Sequence, residues 1–263
     1  MHGIWKTGSE KSVVSESWIR GNERNAEVSK NMKVLVIIPA YNEEKSIRRV
    51  VNHLIQVCPQ YDYVIVNDGS TDRTEQICKE NHFHYISLPV NLGLTGAIQA
   101  GMKYASQKGY DMALQFDADG QHLPEYIPSM VNYMAAEKCN VVIASRYCRS
   151  KMPFSMRTLG SKMIAGAIYM TTGKHLSDPT SGMRLYDRHV IEQFVKDSNN
   201  SPEPDTLTYL MRIGADIREV EVTMAERQEG KSYLTPINAS KYMVNMLLSI
   251  CIFQWFRDRK VVL

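Results

Sequence analysis

The chain of 263 residues is long enough for one large domain or two small ones, and a hydrophobic content of 44% is ordinary for a globular protein with a sizeable core. A net charge of +3 is too small to imply nucleic acid as a partner, although it suits an anionic small ligand or an acidic membrane face. The five cysteines, Cys58, Cys78, Cys139, Cys148 and Cys251, are odd in number and contain no Cys-x-x-Cys pair. They suggest neither a zinc site nor a disulfide framework, and they fit a reducing cytoplasm.

Residues 1–31 are polar, with isolated apolar residues such as Trp5, Trp18 and Ile19. They read as a flexible N-terminal extension with one short helix near Ser15 to Arg20, and they hold no apolar run of the kind a signal peptide needs. The ordered chain is expected from residue 32. Lys33 to Ile38 is a β-branched run without polar alternation, the pattern of a parallel strand buried on both faces. Pro39-Ala40-Tyr41-Asn42-Glu43-Glu44 ends it, and Ile47, Val50, Val51, Leu54 and Ile55 at helical spacing predict a helix from Glu44 to Val57. A second strand, Tyr63 to Val66, runs into Asn67-Asp68-Gly69-Ser70-Thr71-Asp72, followed by a helix from Asp72 to Asn81. A third strand, Tyr85 to Leu88, breaks at Pro89, and Asn91-Leu92-Gly93 opens a helix to about Gln107. The apolar run Met112 to Phe116 leads into Asp117-Ala118-Asp119-Gly120-Gln121-His122, and helix resumes from Pro124 to Glu137. Val141 to Ala144 makes a fifth strand. Strand and helix alternate with short loops, which predicts an α/β fold with a mostly parallel sheet covered on both faces.

The second half is less regular. Ser155 to Thr172 reads as helix, Met183 to Tyr186 as a short strand, and Asp187 as the N-cap of a helix to Val195. Pro204 to Ile213 reads as helix, and Ile217 to Val222 alternates like a half-buried strand. Tyr242 to Phe256 is strongly apolar, but at about 15 residues it falls short of the roughly 20 that span a membrane. Lys241 before it and Arg257, Arg259 and Lys260 after it suit an interfacial amphipathic helix; a core helix or a contact between copies of the chain fits as well. The expected division is a 1–31 extension, a 32–235 catalytic domain and a 236–263 C-terminal helix.

In a parallel sheet, the turns at Pro39 to Glu43, Asn67 to Asp72 and Asp117 to Gln121 reach one edge, where open α/β sheets bind ligands. Asp117, Asp119 and Gln121 offer hard oxygen donors suited to Mg²⁺ or Mn²⁺, with coordination left for a diphosphate. Asp68 could accept a nucleobase N–H. Asp-x-Asp-Gly alone also describes a solvated turn, and Asn67 to Asp72 a turn with a helix cap.

Taken together, these motifs resemble family-2 glycosyltransferases of the GT-A (Rossmann-like) fold. The resemblance rests on Pro39 to Glu43, Asn67 to Asp72, Asn91-Leu92-Gly93, Asp117 to Glu125 and Ala144-Ser145-Arg146-Tyr147, in order, and extends over residues 33 to about 235. Within the family the chain is most similar to dolichyl- or polyprenyl-phosphate mannose synthases. Gln121-His122 after the Asp-x-Asp, Asp178 to Tyr186, and Arg227-Gln228-Glu229-Gly230-Lys231-Ser232 carry that similarity.

The resemblance implies that Pro39, Ala40, Tyr41, Glu43, Asp68, Asn91 and Gly93 line the nucleotide pocket. Asp117 and Ala118 would contact the nucleotide, and Asp117, Asp119 and Gln121 the metal. Arg227 would close over the phosphates from a mobile loop, and Arg146 and Arg157 would face the acceptor. The donor would be a UDP- or GDP-linked sugar. The acceptor would be lipid-linked, and the setting cytoplasmic and peripheral to the inner membrane face, in cell-envelope polysaccharide or glycoconjugate synthesis.

One position departs from the pattern. These synthases usually carry Lys directly after the late Ser, where this chain has Tyr233. Ser201-Pro202-Glu203-Pro204-Asp205 places two carboxylates beside a helix start, and a hydroxyl acceptor needs a base whereas a phosphate does not. Glu203 or Asp205 could be that base, and helix capping by Asp205 is the plainer role. The expectation is therefore an inverting, metal-dependent transferase acting on a polyprenyl phosphate. A lipid-linked sugar hydroxyl is the alternative acceptor, and an inactive sugar-nucleotide-binding scaffold the alternative of another class. A nucleotidyltransferase would be expected to carry a Gly-rich basic loop near Pro39 to Glu43, and there is none.

Overall fold

The computed structural model describes residues 13–14, 32–147, 156–225 and 236–253, with backbone alone at 13–14, 156–157, 236–240 and 253. The strands are β1 (Val13–Val14), β2 (Val34–Ala40), β3 (Asp62–Asn67), β4 (Tyr85–Ser87), β5 (Met112–Gln115), β6 (Val141–Ser145), β7 (Arg184–Asp187) and β8 (Ile217–Glu221). The helices are α1 (Ile47–Val57), α2 (Thr74–Glu80), α3 (Gly93–Lys108), α4 (Ile127–Glu137), α5 (Met156–Thr172), α6 (Arg188–Lys196), α7 (Pro204–Arg212) and α8 (Pro236–Leu248). A 3₁₀ turn at Pro124–Tyr126 precedes α4, and a π turn at Ser249–Phe253 continues α8.

All eight strands form one sheet in the order β1-β8-β6-β7-β5-β2-β3-β4. Every pairing is parallel except those of β7, which runs antiparallel to both β5 and β6. The sheet is therefore mostly parallel, as the alternation of elements predicts. The reversal of β7 has a consequence for the site. The carboxyl ends of β2, β3, β5, β6 and β8 share an edge, and the loop that enters β7, not the one that leaves it, reaches that same edge.

Strand β2 is buried on both faces because its apolar residues supply both layers. Val34, Val36 and Ile38 pack with Ile47, Val50, Val51 and Leu54 of α1 and Met130, Val131 and Met134 of α4. Leu35 and Ile37 face the other side, with Ala97, Ile98 and Met102 of α3 and with residues of α5 to α8. Helix α3 ends at Gly109, whose left-handed backbone (φ 71°) closes the helix through amide bonds to Ala105 and Ser106 carbonyls.

Several boundaries differ from the sequence pattern: the helix expected from Pro124 starts at Ile127 after a 3₁₀ turn, and the one expected over Asp72 to Asn81 covers Thr74–Glu80. Helix α1 starts at Ile47 rather than Glu44, because the Ser46 and Ile47 amides both bond the Glu43 carbonyl in a preceding turn. Within the stretch expected to be an extension, Val13 and Val14 pair in parallel with Glu219 and Val220 of β8. The short helix expected near Ser15 to Arg20 lies outside the described residues. At the other end, α8 begins six residues before the apolar stretch at Tyr242. It buries Met246, and Ile250 follows in the π turn, while Val244 and Leu248 stay exposed. Among the described residues no helix is long and apolar enough to cross a membrane.

Helix α3 lies close to β2 at Gly101. A Cβ there would sit 2.4 Å from Ile37 Cγ2. Gly101→Ala should lower stability by about 1–3 kcal/mol, the range for overpacking a filled core. Urea denaturation at unchanged m-value measures it, and an unchanged midpoint would mean that α3 can move away from β2.

Candidate active site

The loops after β2, β3 and β4 are laced together. The Asp68 amide bonds the Ala40 carbonyl (2.9 Å), and Asn42 Oδ1 accepts from the Thr71 amide (2.8 Å). The Glu43 amide donates to Thr74 Oγ1 (2.8 Å). Asp68 is buried and its Oδ1 accepts from the Leu92 amide at 2.7 Å, so the loop after β4 folds onto it. Gly69 makes that approach feasible. Its φ of 64° suits glycine, and a Cβ would meet the Val90 carbonyl carbon at 2.6 Å and the Asn91 nitrogen at 2.7 Å. Tyr41, Glu43, Gly93 and Pro39 are half-buried around this junction, Asn91 is exposed and Ala40 is buried.

Beside it, β5 ends at Gln115, and Phe116 still bonds the Ile37 carbonyl of β2 (3.0 Å) before the chain turns. Asp117, Asp119 and Gln121 are half-buried, and Ala118 and His122 are buried. The turn is internally braced. His122 Nδ1 accepts from the Asp117 amide (2.9 Å), and Asp119 Oδ1 accepts from the Gln121 amide (2.9 Å). Gln115 Nε2 donates to Asp117 Oδ1 (3.4 Å). Two partly solvated carboxylates and a carboxamide oxygen, held in one turn, form a donor set of hard oxygens, and Mg²⁺ or Mn²⁺ fits it.

Arg146, expected to face an acceptor, is engaged elsewhere. Its Nε and a terminal nitrogen clamp the fully buried Asp178 carboxylate at 2.6 and 2.8 Å, and its own amide donates to the same group (3.1 Å). Asp178 holds its guanidinium above its ordinary pKa against the opposing effect of burial. Behind Asp178, the buried Glu219 accepts the Ser177 and Asp178 amides (2.7 and 2.8 Å), and burial pushes the Glu219 carboxyl up. The geometry makes Arg146 an anchor of the loop leading to β7.

Glu203 and Asp205 flank the start of α7; Glu203 at the N-cap makes no side-chain cap bond, whereas Asp205 Oδ1 accepts from the Thr206 amide (2.8 Å) in the first turn. Glu203 Oε2 instead accepts from the Tyr242 hydroxyl of α8, and Asp205 Oδ2 from Ser249 Oγ at 2.6 Å. Burial and the Glu203 carboxylate both raise the Tyr242 phenol, so it remains a neutral donor. Arg227 and Tyr233 lie outside the described residues. Arg157 lies in α5 with only its backbone described.

Three residues carry structural weight that the sequence pattern did not assign. Arg184, 2% exposed at the start of β7, donates to the carbonyls of Ser181 (2.8 Å), Pro179 (2.7 Å) and Pro202 (2.8 Å). Gly182 stands against the Asp117 turn, where a Cβ would lie 2.8 Å from Asp117 Oδ2. His122 braces Asp117 from within the turn. An arginine inside the apolar run Met183 to Tyr186 was the available signal for the first; the other two depend on contacts distant in sequence or on ring orientation.

Comparison with known proteins bears on this site. The model of the family described as Glycosyl transferase family 2 matches residues 35–195. An undecaprenyl-phosphate mannosyltransferase of Micrococcus luteus is 31% identical over 82% of this chain and 93% of its own length. An undecaprenyl-phosphate 4-deoxy-4-formamido-L-arabinose transferase of Proteus mirabilis is 33% identical over 82% of this chain and 67% of its own. A polyprenol monophosphomannose synthase of Mycolicibacterium smegmatis is 28% identical over 88% and 92%. In structure, the chain is similar to glucosyl-3-phosphoglycerate synthase from Mycobacterium tuberculosis. The complex with phosphoglyceric acid gives a TM-score of 0.69 at 20% identity, covering 92% of this chain and 87% of that one. The complex with Mn²⁺, UDP and glucosyl-3-phosphoglycerate gives 0.64 at 18%, covering 86% and 82%. At such identities the likeness is one of fold.

The Arg146–Asp178 clamp has a measurable weight. Arg146→Ala strands a fully buried carboxylate and should cost about 3–5 kcal/mol, the range for breaking a buried pair from one side. Arg146→Lys should recover only part, since an ammonium cannot make the two parallel bonds. Equal denaturation midpoints for the parent and Arg146→Ala would contradict the assignment.

Proposed function

Because this chain belongs to glycosyl transferase family 2 and is therefore a glycosyltransferase, we propose that it moves a hexose from a nucleotide-diphosphate sugar to a polyprenyl phosphate, with inversion at the anomeric carbon. The observation that carries the donor half is the meeting of Asp68 and the Asp117 to Gln121 turn at one sheet edge. The relatives support the acceptor half, because they are named as transferases or synthases acting on undecaprenyl or polyprenol phosphate.

In this reading the loops after β2, β3 and β4 hold the nucleoside of UDP or GDP, with Pro39, Ala40, Tyr41, Glu43, Asn91 and Gly93 around it. Asp68 fixes the loop over the base and offers a carboxylate oxygen to a base N–H. Asp117, Asp119 and Gln121 hold a divalent cation, which when bound supplies charge against the leaving diphosphate. Arg227 adds positive charge to the same phosphates. Ala118 lets the backbone approach the nucleotide. Arg157 meets the acceptor phosphate, an anion that is already a nucleophile and needs no proton removed.

The acidic pair at α7 supports the phosphate acceptor over a sugar hydroxyl. Glu203 and Asp205 both accept hydroxyl bonds from the C-terminal segment, a holding role for α8 rather than a proton-accepting one. The lipid-linked sugar hydroxyl is kept as the second reading on the strength of Tyr233.

The helices beside that pair support a peripheral membrane position. Gly160 lets α8 approach α5, since a Cβ there would meet Met243 Sδ at 2.9 Å. Leu159, Met163 and Met170 of α5 are exposed, as are Val244 and Leu248 of α8 and Ile252 just after it. Lys162 and Lys241 are exposed on the same helices. Apolar area bordered by lysines suits an anionic bilayer surface, where the lipid acceptor resides.

Three measurements test the reading. Turnover should need Mg²⁺ or Mn²⁺ and be almost lost in Asp119→Ala, and full activity in excess EDTA would remove the metal. With undecaprenyl phosphate as acceptor, Arg157→Ala should lose most turnover, while Glu203→Gln and Asp205→Asn should each retain it within about tenfold, well short of the roughly 10²–10⁴-fold loss of a general base. Product from a lipid-linked saccharide alone, abolished in one carboxylate variant, would reverse the choice of acceptor. Serine at Val244, Leu248 and Ile252 together should weaken binding to anionic liposomes by about tenfold or more, given the apolar area removed; equal co-sedimentation with the parent would place these residues in a contact between copies.

A further inference from the structure

The Asp-x-Asp turn is not braced by its own backbone alone. His122 sits beneath it with a side chain only 3% exposed. Its Nδ1 accepts the Asp117 amide at 2.9 Å, so the proton of a neutral ring resides on Nε2. That Nε2 lies 3.5 Å from Asp117 Oδ2. One imidazole thus faces both the backbone and the carboxylate of the same residue. Phe116 holds the ring edge-on, with centroids 5.5 Å apart at 66°.

Gly182 closes the arrangement from outside. A Cβ there would be 2.8 Å from Asp117 Oδ2 and 3.5 Å from His122 Cε1. The carboxylate is therefore confined between the imidazole, whose Nε2 lies 3.5 Å away, and a backbone that stands against it. Gln115 Nε2 approaches the other oxygen at 3.4 Å. Asp119, by contrast, has an oxygen tied to the Gln121 amide within its own turn.

We propose that His122, backed by Gly182, is a positioning residue that sets the orientation of the Asp117 carboxylate and thereby the metal affinity of the turn. The inference rests on the reading of that turn as a metal site. A core histidine that merely fills space under Phe116 would have no reason to direct Nδ1 at the Asp117 amide and Nε2 at its carboxylate. Groups of this kind, one step removed from a metal, fix the ligand's geometry, and their loss typically weakens metal affinity 10–100-fold.

The test is Mn²⁺ titration of the full chain by electron paramagnetic resonance, with thermal melting of each protein alongside. His122→Phe keeps the ring in contact with Phe116 but removes both nitrogens, and should weaken Mn²⁺ binding by about tenfold or more. His122→Asn restores an acceptor at the Nδ1 position without a donor reaching Asp117 Oδ2, and should fall between His122→Phe and the parent. Gly182→Ala leaves the imidazole intact and should weaken Mn²⁺ binding by displacing the carboxylate. Mn²⁺ affinity in His122→Phe equal to the parent's would overturn the proposal, as would His122→Asn binding no better than His122→Phe. Nitrogen-15 NMR of the imidazole provides a readout independent of the metal: the parent should show an unprotonated Nδ1, and a proton on Nδ1 would also overturn it. If the parent bound no Mn²⁺, the metal reading would fall, and the Nδ1 state with the Asp117 amide shift in His122→Phe would still decide whether His122 positions that residue.

Discussion

The buried guanidinium of Arg184 ties together the chain segments that meet behind the site. It lies in β7, paired across from Gln115 of β5 and Ile143 of β6, and reaches the carbonyls of Pro179, Ser181 and Pro202. A charge taken out of water needs its donors satisfied, and a planar fork of five N–H groups can serve several carbonyls at once where an ammonium could not. Because β7 runs against its neighbours, the loop entering it stands at the same edge as the ends of the parallel strands. Gly182 in that loop touches the Asp117 turn, and Pro202 leads directly to the acidic pair at α7. The Asp117 turn and the start of α7 are thus joined through one side chain.

Around Arg184 lies a second polar layer of similar logic. Arg146 clamps Asp178, and the Asp178 amide is in turn held by Glu219 of β8. Asp178 and Glu219 are buried and satisfied through these bonds, so the loop from Ser177 to Met183 is held by polar contacts as well as by the core packing of Met183. The edge around Asp68 is built differently. There, short loops exchange backbone and hydroxyl bonds, Asn42 with Thr71 and Glu43 with Thr74, over a conventional two-faced apolar core.

What the sequence revealed and what it hid follow from the range of the interactions. The run Val34 to Ile38 announced a strand buried on both faces because its pattern is local. Asp117 to Gln121 was legible because all its donors fall within five residues. The role of Arg146 was not, because its partner Asp178 lies 32 residues on and nothing local marks the pair. Glu203 and Asp205 looked like candidate bases beside a helix start, while the hydroxyls they accept from, Tyr242 and Ser249, lie 39 and 44 residues away. The antiparallel course of β7 was invisible for the same reason: four residues of strand carry no sign of direction.

The central claim is that the edge bearing Asp68 and Asp117 to Gln121 is a nucleotide-diphosphate site completed by a divalent cation. A ligand that binds only the native state raises the melting temperature, and does so further as its concentration exceeds its Kd. Thermal melting with UDP and GDP, each with and without Mn²⁺, therefore addresses it directly. The account predicts that one nucleotide raises the melting temperature strongly with Mn²⁺ and only weakly without it. No rise with either nucleotide in the presence of Mn²⁺, or the same rise in its absence, would contradict it.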